Sequence, residues 1–147
     1  MIIPIELEVT VPGSPPKKAC SISTWSDPVQ APLINTLRKQ IVDEKCANGI
    51  QGYCNWGLVK IDIIIRITET SVKADIDNHV GGIFDAIQAR PANKPNYNEN
   101  VFEPTTHPDI TVLLSDDMLV YDLHAIRKKA EKESYTVKIS GEYNASL

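Results

Sequence analysis

Residues 58–67 read LVKIDIIIRI, and this stretch decides the fold. Val59, Ile61, Ile63, Ile65 and Ile67 recur at every second position, with Lys60, Asp62 and Arg66 between them. Successive side chains of a strand point to opposite faces, so the pattern predicts a strand with one side on a core.

Toward the N-terminus, Pro28 to Lys45 reads as a helix. Asp27 is its N-cap, and Leu33, Ile34, Leu37, Ile41 and Val42 form its apolar stripe. Further back, Ile3, Ile5, Leu7, Val9 and Val11 alternate with Pro4, Glu6, Glu8 and Thr10, which predicts a half-buried strand. Pro12-Gly13-Ser14-Pro15-Pro16 ends it, and Lys17-Lys18 follow in loop.

Toward the C-terminus, a second helix starts near Asp77 and carries Val80, Ile83, Phe84 and Ile87 on one face. Gly81-Gly82 lowers its propensity by about 1 kcal/mol per glycine, so packing must hold it. Residues 88–111 are rich in Pro and Asn and predict a long irregular loop. Met118–Ile126 alternates as a third strand. Tyr135, Val137 and Ile139 mark a fourth, after a polar turn. The order β-α-β-α-β-β implies an α+β fold, a single domain over residues 1–147. One mixed or antiparallel sheet carries two helices on one face.

The composition, 42% hydrophobic and 23% charged, is that of a globular chain with one core. No apolar run is long enough to span a membrane, and Glu6 and Glu8 interrupt any signal-like segment. Three cysteines, Cys20, Cys46 and Cys54, make no disulfide framework and suit a reducing cytoplasmic setting. The net charge of −4 argues against simple coating of phosphates. Its distribution is uneven: +1 over residues 1–74, −7 over 75–122, and +2 over 123–147.

Within the acidic third, Asp75-Ile76-Asp77-Asn78 lies between the core strand and the second helix. If residue 75 is on extended chain, Asp75 and Asp77 share a side, and Lys73 shares it with them. Two such carboxylates suit a hard cation. The other reading makes Asp77 an N-cap and Asp75 a turn residue. Asp116-Asp117, before the third strand, is a second acidic pair. Convergent carboxylates repel unless divalent metals offset them, and such centres catalyse displacement at phosphorus. Asp85 is either a further ligand or a solvated helix residue. Arg127-Lys128-Lys129 reads either as a contact to the phosphate backbone or as a solvated hairpin turn.

The order of these motifs resembles the RusA family of Holliday junction resolvases. ADIDN, a helix ending IFDAI, SDDMLVYDLHAIRKK and a closing YTVKISG follow the family pattern, and VPGSPPKK is similar to its opening turn. The resemblance implies a homodimer that cuts branched DNA, four-way junctions above all, with Mg2+ or Mn2+ held by acidic residues. It places metal ligands at Asp75, Asp77 and Asp117, with Asp116 adjacent. It also implies a bacterial or phage origin. Lys17, Lys18, Arg127, Lys128 and Lys129 are the expected DNA contacts.

Two departures from the family pattern stand out. The family's catalytic lysine, one helical turn after the second aspartate, is Gly81 here, which leaves Lys73 as the leading substitute and Lys128 as the second. The connection to Asp116-Asp117 is also longer than in the compact family version. The alternatives are a branched-DNA-binding protein without nuclease activity, and a small α+β regulatory module whose acidic pairs are only caps and turns.

Overall fold

The alternating segment around Ile61 does form the central strand of a four-stranded sheet. In the computed structural model, which describes residues 2–18, 23–50, 56–71, 74–91 and 99–144, the strands are β1 (Ile2–Pro12), β2 (Trp56–Ile67), β3 (Val120–Lys129) and β4 (Ser134–Asn144). The helices are α1 (Gln30–Ala47) and α2 (Ile76–Ile87). Short 3-10 turns occur at Thr24–Ser26, Glu99–Val101, Pro104–Thr106 and Asp117–Leu119. The fold is α+β with a mixed sheet, as its sequence pattern implies.

The sheet order is β1-β4-β2-β3. β4 runs antiparallel to both β1 and β2, while β3 runs parallel to β2. A parallel neighbour requires a crossover, and α2 with the long connection after it supplies one. The last two strands therefore do not form the expected hairpin. Residues 130–133 cross the end of β2, where the Ala130 N–H donates to the Ile67 carbonyl at 2.9 Å. β4 then enters on the far side of β2.

Among the described residues, the helices cover one face of this sheet. Val9, Val11, Ile61, Ile63, Ile65, Val137 and Ile139 are buried on it, beneath Ile34, Leu37 and Ile41 of α1 and Ile83 and Ile87 of α2. The other face is polar, with Glu6 paired to Lys138 at 3.3 Å. Trp25 and Trp56 are buried and pack in the core. No described helix is long and apolar enough to cross a membrane.

α1 begins two residues later than its sequence suggests. Asp27 still serves that end: its Oδ1 accepts from the Val29 N–H at 2.9 Å, and its carbonyl accepts from Gln30 and Ala31. The Pro/Asn-rich segment 92–98 lies outside the described residues. The chain after it is irregular but tightly held. Val112, Leu113 and Leu114 join the core, and the N–H groups of Leu113 and Leu114 donate to the Ile87 carbonyl.

The anchor of this segment is Arg38, whose fractional exposure is 0%. Its guanidinium donates to the carbonyls of Ala86, Gln88, Thr106, His107 and Ile110 at 2.5–2.9 Å and lies over the Trp25 ring. Burial pulls its pKa down to about 9, still above neutrality. Five carbonyl oxygens facing the ion hold its charged form. Lys45, also buried, donates to the Val112 carbonyl at 2.8 Å.

Candidate functional site

The start of α2 is shaped by two glycines. A Cβ on Gly82 would stand 2.2 Å from the Pro16 carbonyl oxygen, so only glycine lets the Pro15–Lys18 turn lie on the helix. The Lys18 N–H donates to the Asn78 carbonyl at 3.0 Å, and the Lys17 N–H to Gln30 Oε1 at 2.7 Å. This close approach is the packing that offsets the weak helix propensity of Gly81-Gly82.

The same contact places a cation. A Cβ on Gly81 would meet Lys18 Cδ at 3.2 Å and Lys18 Cβ at 3.4 Å, so the lysine stem occupies the space a side chain at position 81 would take. The sequence suggested Lys73 and Lys128 for this role. Lys73 lies outside the described residues, and Lys128 is exposed on β3, in register with Arg66. Lys18 is the lysine that the fold lays across Gly81.

Asp75 occupies the N-cap position with extended dihedrals, and its carboxylate makes no capping bond. Asp77 stands in the first turn, and both are exposed. Since the helix begins at Ile76, strand parity does not extend from Asp75 to Asp77; their proximity comes from the helix start instead. Arg127 of β3 donates to the Ala74 carbonyl, next to Asp75.

His79, one turn into α2, is buried. Desolvation lowers its pKa, the charges of Arg127 and Lys17 add to that, and the carbonyls of Pro16 and Pro15 oppose it. The ring is therefore neutral near pH 7, within a cationic surround. Sequence reasoning missed His79 and the anchoring of Arg127; a single histidine among the helix residues just after the Asp-Ile-Asp-Asn stretch was the one available signal.

The second acidic pair sits elsewhere. Asp116 caps the 3-10 turn, its Oδ1 accepting from the Met118 N–H at 2.9 Å, and Asp117 opens that turn beside the start of β2. The chain reaches this point from the C-terminal end of α2. The 12 residues of α2 therefore separate the two pairs, about 18 Å of helix. Along the sheet, Val120 pairs with Val59 and Arg127 with Ile65, so β3 spans a similar gap of about 23 Å between them.

The expectation that Asp75, Asp77 and Asp117 share one cation site is therefore not met within a single chain. Among the described residues, no three His, Cys, Asp or Glu side chains gather closely enough to hold a metal ion. Asp85, two turns after Asp77 on α2, is tied instead to the buried Thr24, whose hydroxyl donates to Asp85 Oδ2 at 3.0 Å.

Chemically, the start of α2 offers two exposed carboxylates at the positive end of a helix dipole, with Arg127 at the Ala74 carbonyl, Lys18 over Gly81 and Lys17 near His79. That donor set fits a hard divalent cation and a phosphate near it, but two carboxylates leave the coordination incomplete. Lys129 is exposed beside this end. The chain matches no protein-family model and no curated protein.

Proposed function

We propose that this protein is a Mg2+- or Mn2+-dependent endonuclease for branched DNA of the RusA type, acting as a homodimer. The observation that carries this reading is the convergence of basic residues from two segments on the start of α2: Arg127 is anchored on the Ala74 carbonyl beside the uncapped Asp75, Lys18 lies over Gly81 one turn after Asp77, and Lys17 is near His79. A cap or turn needs no such surround. A bound divalent ion would supply charge stabilisation and an activated water at this place. Asp75 and Asp77 would hold it. Lys18, lying over Gly81, would put its ammonium near the scissile phosphate, and Lys17, Lys128 and Lys129 would contact neighbouring phosphates.

Cleavage of a synthetic four-way junction tests this. The wild type should cut only with Mg2+ or Mn2+, and Asp77→Asn should retain the fold yet lose cutting. Lys18→Ala should lower the cleavage rate far more than junction affinity, as expected for an interaction made mainly in the transition state. Cutting by Asp77→Asn at the wild-type rate would contradict the assignment.

The separation of Asp117 from Asp75 within one chain favours a second reading, a branched-DNA-binding protein that does not cut. Metal-independent, salt-sensitive junction binding with no cleavage product would select it.

A further inference from the structure

A cleft of about 350 Å³ opens beside the start of α2, between the turn after β1, the first turn of α1 and the loop that leaves β2. It borders the candidate cation site without including it. Ala74, in its wall, precedes Asp75, and Lys17, also in its wall, precedes Lys18. The lining is mixed. Pro15 and Leu33 are apolar, Ser14, Thr68 and Ser71 bring hydroxyls, and the charges of Lys17 and Glu133 oppose one another. Such a wall suits an uncharged ring with hydrogen-bonding edges better than an anion or an aliphatic chain.

His79 supplies a second, independent observation. Its ring lines the same cleft, its fractional exposure is 4%, and among the described residues its Nδ1 has no hydrogen-bond partner. The carbonyls of Pro16 and Pro15 lie against the ring. A carbonyl only accepts, so the nitrogen turned toward them is Nε2 with its proton, and Nδ1 is left as a bare acceptor. An unpaired buried acceptor is destabilising, and a leucine would fill this place without that cost.

We infer that this cleft holds a nucleobase, an amino or ring N–H group of which donates to His79 Nδ1 while its edge meets the hydroxyls of Ser14 and Ser71. Nδ1 lies beneath the wall, so the base meets it after a small turn of the ring about Cβ–Cγ, a broad torsion in histidine. The volume is at the small end of ligand sites, which run from about 300 to 1,000 Å³, so it takes one base with its sugar and no more.

Two sources offer such a base: a free nucleoside, or a nucleotide of DNA turned out of its stack. The position favours the second. A strand whose phosphate meets a cation at Asp75 and Asp77 has its adjoining base next to the cleft, and contacts inside a pocket offset the stacking that an extruded base gives up. That source rests on the nuclease reading above; the cleft itself does not.

Titration with deoxyadenosine, whose base carries an amino group, tests the cleft without any assumption about activity. In ring-nitrogen NMR, His79 should shift saturably, and His107 and His124 should not. His79→Leu should weaken binding about tenfold, the loss expected for one hydrogen bond. Ser14→Trp, which fills the cleft from its turn, should abolish binding and leave the response to Mn2+ unchanged. A wild type with no saturable shift at His79, or two folded variants that bind as well as the wild type, would overturn the inference.

A four-way junction carrying 2-aminopurine beside its branch tests the DNA source, because this amino-bearing base emits more strongly once it leaves the stack. The wild type should raise the emission, and His79→Leu and Ser14→Trp should not. Deoxyadenosine binding with no rise in emission would overturn the DNA source and assign the cleft to a free nucleoside. A junction that is cut while neither signal appears would overturn the cleft and leave the nuclease reading standing. Both signals with no cutting would fail the nuclease reading and leave the cleft standing.

Discussion

Arg38 and the start of α2 handle charge in opposite ways. Arg38 is sealed from water, yet five carbonyl oxygens and an aromatic face meet its guanidinium. Asp75 and Asp77 stand in solvent with no capping bond from Asp75. A buried ion survives only when its hydrogen-bonding capacity is used up, so a fully satisfied one is structural. An exposed pair among basic neighbours retains its capacity for a ligand. Function is therefore sought at the second place and stability at the first.

Breaking the sealed region should produce the largest effect. Arg38→Met leaves several carbonyls without donors and should cost about 3–5 kcal/mol, read as a lower denaturation midpoint. If Arg38→Met were neutral, the distinction between the two regions would fail. Gly82→Ala comes next: overpacking against the Pro16 carbonyl should destabilise by about 1–3 kcal/mol, despite the gain in helix propensity. Gly81→Ala meets only the flexible Lys18 stem and should be close to neutral, which separates the adjacent glycines by thermal melting.

The buried His79 sharpens the comparison through pH. Its folded-state pKa lies below the ordinary 6.5, so the unfolded chain takes the proton first. Stability should be full above that value and decline as pH falls through it toward the folded-state pKa. A His79→Gln variant should lack this part of the slope in pH-dependent denaturation. Asp77→Asn, at the exposed site, should change stability by no more than about 0.5 kcal/mol. Smallest of all, Glu6→Gln removes an exposed ion pair with Lys138 and should cost about 0.5 kcal/mol or less.

The difference between these regions also explains what the sequence disclosed. Period-two alternation made β1 and β2 legible, because each has one dry face. β3 was legible as a strand but not as an edge, since alternation carries no information about neighbours. That the chain crosses the end of β2 and pairs β4 on its far side is a non-local choice with no local signal. Val112–Leu114 were hidden because three adjacent apolar residues fit neither period, and Arg38 looked like any solvated helix residue. At the candidate site, Asp75 and Asp77 were visible as a motif. Lys18 over Gly81 was not, because that contact joins positions 63 residues apart through a glycine that has no side chain.

The central claim is that Asp75 and Asp77 hold a divalent cation, and a Mn2+ titration followed by thermal unfolding tests it most directly. A site on the folded state alone adds about 2.7 kcal/mol when the ion is at 100 times its Kd, and the midpoint should rise with concentration accordingly. The wild type should show that rise, and the Asp75→Asn, Asp77→Asn double variant should not. A wild-type midpoint indifferent to Mn2+, or a double variant that responds equally, would contradict the account.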